Sequence, residues 1–578
     1  MVSLNQTRRI YLSSAHHTSI EKARGRSFIV MGVFLFLFVI IGARVIDLSI
    51  IQSMSHQKEN NYLLGEDIVS DNNTQQYRGD IVDRNGAILA RSLKTVSVYA
   101  DPEMIENPVS VSKSLLEIFP ELSYGSILQK LQSKKRFVWI KRDITPEKQD
   151  QILLAGHPGL NFKEEMKRVY PKGYLSAHIA GTTGSEQQGL SGIEASFDSL
   201  LQDSEEALAL TIDIRLQHAL RKEMYDTMIK HEAIGAAGLV MDVNTGEILA
   251  MSSLPDFNPH HYNQAKNNEI FNKATLGVYE LGSTFKIFST AALLEKSHHN
   301  ISAVFDVRKP IEIGRFKIRD FHAEERVLTT PEVFIHSSNI GSAMMGMEVG
   351  TQNLKNFYKD IGLTEAPNFE LQEVGSPIIP SPWREINTLT ASYGHGIAVS
   401  PLQLVSAVSS IVNGGFLVKP TLILSDKKQK IEENVRVVSD KTAHRMRQLL
   451  RLVVSEGTGS GAEVPGYLVG GKTGTAEKPG KGGYDRKRLI SSFVGVFPIN
   501  KPEYAVFVMI DEPKGIKETY DYATGGWVGA PTVKRIIENM ISIFNLKPSD
   551  IGEGFEGSLM RYVKTKEDLK RERDIETH

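Results

Sequence analysis

The chain has 578 residues, more than one hydrophobic core organises, so at least two folded domains are expected. Its 67 Lys and Arg against 68 Asp and Glu leave a net charge of -1, and no basic stripe interleaved with aromatics appears, which argues against a nucleic-acid partner. Cysteine is absent, and with it go disulfides, zinc-thiolate sites and a thiol nucleophile.

Residues 1–27 form a short tail bearing Arg8, Arg9, Lys22, Arg24 and Arg26. The apolar run FIVMGVFLFLFVIIGA (28–43) follows and continues past Arg44 and Asp47 to Ile51. At ~1.5 Å per helical residue the uninterrupted part spans about 24 Å, and the extended segment reaches the ~30 Å of a bilayer core. A transmembrane signal anchor over 28–50 is expected, with the basic tail cytoplasmic and the rest exported. A cleaved signal peptide fits less well, because Gly42-Ala43-Arg44 is a poor small-x-small exit site. A core helix would not be apolar on every face beside a basic tail.

Residues 51–205 carry mixed strand and turn signals. RGDIVDRNGAILA (78–90) predicts two short strands meeting at Asn85-Gly86, with Asp80 and Asp83 in turn and cap roles, since their spacing fits no calcium loop. GLSGIEASFDSLL (189–201) predicts a glycine turn entering a helix. No nucleophile and base are paired here, so this half reads as a scaffold.

Beyond residue 206, GLVMDVNTGEILAMSS (238–253) predicts a hairpin about Asn244-Thr245-Gly246 at the edge of a sheet, and STFKIFSTAALLEK (283–296) a helix. YLVGGKTGTAE and LISSFVGVFPINKPEYAVFVMID predict three more strands. Strands at both ends and helices between them give an α+β domain with an antiparallel sheet rather than alternating βαβ units. The segment 549–578, ending TKEDLKRERDIETH, is expected to be a charged, solvated tail.

One stretch reads two ways. Gly466 to Thr473 matches the G-x-x-x-x-G-K-T of a phosphate-binding loop, and Lys472-Thr473-Gly474 matches a K-T-G box. A phosphate loop needs a helix starting at its Lys-Thr, and Gly474 followed by Pro479-Gly480 cannot carry one far. The K-T-G reading demands a serine with a lysine one helical turn later. Ser-x-x-Lys alone decides nothing, since Ser19, Ser55, Ser110 and Ser425 also have it. Ser283-Thr284-Phe285-Lys286 differs in following Gly282 and opening an apolar helix, where the dipole favours developing negative charge. A Ser337-Ser338-Asn339 box lies 54 residues after Ser283, and Lys472 lies 189 after it.

In this order the three boxes are a known signature of acyl-transfer enzymes. With the apolar anchor, RGDIVDRNG, GLSGIE, DVNTGEILAM, GSTFK, HSSNIG, YGHGIAVSPLQL and GKTGTAEK, the chain resembles the class B penicillin-binding proteins, and most closely the division-specific peptidoglycan D,D-transpeptidases of Gram-negative bacteria. Leu281 and Ile287 stand where many relatives carry proline, and His336 where a lysine is common. The resemblance implies a penicillin-binding, β-lactamase-like transpeptidase domain over 206–548, an antiparallel sheet with helices on both faces, preceded by a mixed α/β pedestal over 51–205.

The resemblance also implies roles. Ser283 is the nucleophile, Lys286 its base, Ser337 a proton relay with Lys472 behind it, and Asn339 a holder of the substrate amide. Thr473, Gly474 and Thr475 bind substrate beside Lys472, and the N–H groups of Ser283 and Thr475 form the oxyanion hole. No cofactor or metal is implied. Expected partners are stem peptides ending in D-Ala-D-Ala, an amine acceptor, β-lactams, and a membrane glycan polymerase with other division proteins; the expected location is the inner membrane with the catalytic domain periplasmic. No glutamate that would prime a deacylating water is found by motif, so transfer is expected over hydrolysis. His395 is read as a loop histidine rather than a second base. An elongation-specific transpeptidase, a β-lactam sensor, a scaffold and a hydrolytic carboxypeptidase remain alternatives.

Overall fold

The computed structural model describes Leu37 and residues 77–564, apart from 203, 205, 297–300, 315, 426–430, 432–433, 481–482 and 549–553. The expected anchor, apart from Leu37, and residues 565–578 of the expected tail lie outside the described residues. No described helix is long and apolar enough to cross a membrane.

The first hairpin forms where the sequence places it. Strands β1 (Ile81–Val82) and β2 (Ile88–Ala100) run antiparallel with Ile81 opposite Ala90. Asp83 ties the turn: its Oδ1 accepts the N–H of Asn85 at 2.8 Å and of Ala87 at 2.7 Å, and its Oδ2 that of Ile214 at 3.1 Å. Gly86 takes the positive φ, 81°, that the turn requires. Strands β3 (Val138–Ile144) and β4 (Leu160–Val169) pair antiparallel with β2. Helices α1 (Pro108–Ile118), α2 (Tyr124–Leu131) and α3 (Pro146–Ala155) share with β2 and β3 a core that includes Val98, Leu115, Leu131, Ile140 and Ile152. α1 and α3 each start on proline behind a capping Asn107 or Thr145, which supplies the acceptor the first turn lacks.

The GLSGIE segment enters a short helix, Gly192–Ser196, that buries Glu194 completely. Glu194 Oε2 accepts from Arg78 Nε at 2.5 Å and Oε1 from Arg168 Nε at 2.7 Å, and Arg78 Nη1 also reaches Asp198 at 2.7 Å. Strand β5 (Leu208–Ala209) then pairs parallel with β1 and leads into the second half.

There, α4 (Ile214–Lys230), β6 (Gly235–Asp242) and β7 (Ile248–Leu254) come first. Helices α5 (Lys286–Glu295), α6 (Asn339–Val349), α7 (Pro401–Val412) and α8 (Asp440–Ser455) fill the middle. Strands β8 (Gly470–Gly480), β9 (Gly483–Phe497) and β10 (Tyr504–Asp511) and helix α9 (Gly529–Phe544) complete it. The sheet has the order β8-β9-β10-β6-β7, antiparallel throughout, so strands from both ends of the domain meet at β10 and β6.

Near-continuous apolar strands are what a sheet covered on both faces requires. Ala236, Val240, Val506, Val508 and Ile510 pack with Leu220 and Met224 of α4 and Val533 and Ile537 of α9. Their neighbours Ala237, Leu239, Met241, Phe507 and Met509 pack with α5, α7 and α8 on the opposite face. The α+β expectation, with helices on both faces, holds.

The expected solvated tail is corrected in part. Over 554–564 the chain is folded against the domain: Gln448 Nε2 donates to Phe555 O at 2.9 Å, Thr329 Oγ1 to Tyr562 O at 2.6 Å, and Leu559 is buried. The apolar residues Phe555, Leu559 and Tyr562 are spaced to cover one surface, a pattern outweighed in the sequence by the charges that follow.

Candidate active site

Lys472 decides between the two readings of its motif. It stands inside the eleven-residue strand β8 with no helix after it, so nothing there resembles a phosphate loop. β8 is the edge of the sheet, and its open side lies against the turn that carries Ser283.

That turn is a 3-10 helix, Gly282–Phe285, running into α5. Ser283 therefore sits one tight turn ahead of the α-helix, where its hydroxyl meets Lys286. Gly282 has φ 54°, and a Cβ there would lie 2.6 Å from Thr475 O; a Cβ on Gly474 would lie 2.7 Å from Leu281 O. Both glycines are what let β8 come this close. Leu281 and Ile287, where relatives carry proline, are fully buried; Leu281 caps the 3-10 turn and Ile287 lies in the first turn of α5.

The sequence-predicted residues converge on Lys286. Its Nζ lies 3.1 Å from Ser283 Oγ, 3.1 Å from Ser337 Oγ, 2.6 Å from Ser337 O and 2.8 Å from Asn339 Oδ1. Lys472 Nζ donates to Ser337 Oγ at 3.0 Å from the other side. Ser337 Oγ thus bridges two lysines, both fully buried. Burial first, and then repulsion from Lys472, push the Lys286 amine well below its ordinary 10.5, against an opposing pull from Asp320. Burial alone pushes Lys472 down to about 7. Lys286 carries both penalties, and both favour its neutral form. A neutral amine has two N–H groups, which Ser337 O and Asn339 Oδ1 are placed to accept, and one lone pair, with Ser283 Oγ and Ser337 Oγ both 3.1 Å away.

The Ser-x-Asn box sits in unusual backbone. Ser337 has φ 58°, in the left-handed region that non-glycine residues avoid. Ser338 caps α6, its Oγ accepting the N–H of Gly341 at 2.9 Å. Thr473 Oγ1 pairs with Thr458 Oγ1 at 2.8 Å, and Thr475 Oγ1 accepts the N–H of Gly525 at 3.0 Å. His395 flanks the site in the loop between the helix Glu385–Ala391 and α7, its ring edge-on to Tyr484 at 5.3 Å. Burial pushes it down to about 4, and among the described residues no hydrogen bond joins it to Ser283 or Lys286.

Sequence reasoning missed Asp320. Its Oδ2 accepts from Ser338 Oγ at 2.7 Å and its Oδ1 from the Ile340 N–H at 2.9 Å. It lies 18 residues before Ser338 in no recognisable motif; only its nearness to an apolar strand end could have hinted at it.

A serine on a tight turn, a buried lysine within reach of its hydroxyl and a second lysine beyond a bridging hydroxyl form the arrangement that serine acyl transfer requires. The model of the penicillin-binding protein transpeptidase domain matches residues 236–538, and that of the penicillin-binding protein dimerisation domain residues 73–213. The chain belongs to the penicillin-binding protein transpeptidase family. It is 37% identical over 483 residues to the probable peptidoglycan D,D-transpeptidase FtsI of Caulobacter vibrioides, covering 81% of this chain and 82% of that protein. Similarity extends to Stage V sporulation protein D of Bacillus subtilis, 33% identical, covering 82% of this chain and 79% of that protein. It extends also to peptidoglycan D,D-transpeptidase FtsI of Escherichia coli, 29% identical, covering 82% and 85%. Penicillin binding protein 3 of Mycobacterium tuberculosis, solved in complex with aztreonam, shares the fold with a TM-score of 0.64 at 24% identity, covering 82% of this chain and 97% of that one.

Proposed function

We propose that this protein is a peptidoglycan D,D-transpeptidase that cross-links stem peptides during septal wall synthesis, through an acyl-enzyme on Ser283. The observation that carries the reading is Lys286 Nζ set between Ser283 Oγ and Ser337 Oγ, with Lys472 on the far side of Ser337. The FtsI names of relatives that align along most of the chain support division rather than elongation.

Lys286, neutral, takes the Ser283 proton as Oγ attacks the carbonyl of the penultimate D-alanine. Negative charge then develops on the carbonyl oxygen. Thr475 turns its C=O toward Gly282, and in an antiparallel strand the N–H and C=O of one residue point to the same side. Its N–H therefore faces the nucleophile turn, beside that of Ser283, and each such donor supplies roughly 3 kcal/mol to the transition state. Ser337 passes a proton to the departing D-alanine amine and is resupplied by Lys472. Lys472, Thr473 and Thr475 hold the substrate carboxylate, Gly474 leaves room for it, and Asn339 holds the amide. An amine from a second stem peptide then resolves the ester into a cross-link. β-Lactams, which imitate D-Ala-D-Ala, acylate the same hydroxyl.

The basic tail over 1–27 and the apolar run over 28–50 support a membrane anchor with the pedestal and catalytic domains outside the cytoplasm. The chain's resemblance to the division-specific transpeptidases supports a membrane glycan polymerase and other division proteins as partners.

Incubating membranes with a labelled penicillin and mapping the modified peptide tests the reading. Label is expected on Ser283 and lost in Ser283→Ala; label on any other residue overturns it.

A further inference from the structure

The Ser-x-Asn turn presents a cost that its own residues do not cover. With φ 58° at Ser337, a side-chain-bearing residue holds a sparsely populated conformation, which persists only where its surroundings over-determine it. The same turn aims Ser337 O, Ser337 Oγ and Asn339 Oδ1 together at Lys286 Nζ, within 2.6 to 3.1 Å. Relaxed to the right-handed region, the turn would scatter those three oxygens and leave the amine without its fixed orientation.

Three bonds from one short segment hold it. Asp320 accepts from Ser338 Oγ and from the Ile340 N–H, one on each carboxylate oxygen, and Arg319 O accepts from Asn339 Nδ2 at 3.0 Å. The segment follows a strand, Phe316–Ile318, paired with Ile311–Ile313, so its position is set by an independent hairpin rather than by α6. Asp320 touches neither lysine in any bond found among the described residues; it grips the residues on either side of Asn339.

We propose that Asp320 is the positioning residue of this site: it clamps the turn after Ser337 in the strained conformation that aims Ser337 and Asn339 at Lys286. The inference rests on the acyl-transfer reading of Ser283 and Lys286. Its negative charge also acts on the base. Lys286 faces Lys472 from β8, Asp320 from the clamp and His395 from the loop beside α5, and of these only Asp320 favours the protonated amine. Acylation needs Lys286 neutral, so its rate rises with pH through the Lys286 titration. Removing the Asp320 charge moves that acid limb to lower pH.

The test is the penicillin acylation rate of full-length Asp320→Asn across pH, normalised to the fraction of protein labelled at saturation. Normalisation removes any loss of folded enzyme. A fall of about tenfold per active site on the pH plateau is expected, the scale of one lost charge-assisted hydrogen bond, together with an acid limb displaced to lower pH. Asp320→Glu, which keeps the charge but not the reach, is expected to leave the limb near its wild-type position. An unchanged rate per labelled site, a limb that stays put in Asp320→Asn, or one that moves equally in both variants overturns the proposal. Wild-type protein that fails to label at Ser283 sinks the acyl-transfer reading instead.

Discussion

Two clusters of buried cationic side chains, one in each half of the molecule, have opposite chemistry. In the pedestal, Arg78 and Arg168 are as buried as any apolar core residue, but Glu194 lies between them and accepts from both. Every charge there has a counter-charge at hydrogen-bond distance, and the result is a fixed joint between β1, β4 and the Gly192–Ser196 helix. In the catalytic half, Lys286 and Lys472 are equally buried, yet their close partners are hydroxyls, carbonyls and an amide. The nearest carboxylate, Asp320, is occupied with Ser338 and Ile340. Burial alone thus decides neither outcome: a matched carboxylate holds buried cations as scaffold, and without one a buried lysine is pushed toward its neutral form.

The comparison breaks most severely at Lys286. Lys286→Arg keeps a cation of similar length that cannot lose its proton, so penicillin acylation is expected to slow by roughly 10² to 10⁴, the range of a lost general base. A stopped-flow or gel-based acylation rate reads it; a loss under tenfold would mean that another group takes the Ser283 proton. In the pedestal the same logic strikes stability. Glu194→Ala leaves two arginines buried without their shared carboxylate, and a loss of about 3–5 kcal/mol in denaturant unfolding is expected, while the acylation rate per labelled site stays near wild type. Stability unchanged within 1 kcal/mol, on the order of measurement error, would show that water already screens the cluster.

The smallest effect is a gain. Lys472→Met removes a buried amine whose charged form burial disfavours, so the variant is expected to be more stable than wild type by about 1–4 kcal/mol near pH 7 while losing acylation. The sign in pH follows from the depressed value of about 7 against 10.5 in the unfolded chain. Between those limits the unfolded state holds a proton that the folded state does not, so wild-type stability rises with pH across that window. The variant's advantage should therefore shrink from pH 7 to pH 10.5; an advantage that grows with pH would mean that Lys472 is charged in the fold.

How much of this was legible in the sequence follows the range of each interaction. Asp83 and Gly86 were readable because a turn is specified within five residues. The strands of the catalytic sheet were readable because burial on both faces writes continuous apolar runs such as AVFVMI. The three boxes were readable as a set because their order constrains one another, and Ser283 stood out from Ser110 only by its context, a preceding Gly282 and an apolar helix, since both carry Ser-x-x-Lys. Asp320 was not readable: its partners are a hydroxyl and an N–H 18 and 20 residues on, brought to it by a hairpin of only three-residue strands. Glu194 was seen only as a helix residue, since its arginines come from 116 and 26 residues away. The folding of 554–564 was hidden by the charges beyond it, because composition averages over a segment whereas packing depends on three side chains.

Gly282 carries a consequence for how such an enzyme can change. A single methyl group at this position would collide with the Thr475 carbonyl and wedge the nucleophile away from the strand that must polarise its substrate. Position 282 is therefore closed to any side chain for as long as Ser283 must sit against β8.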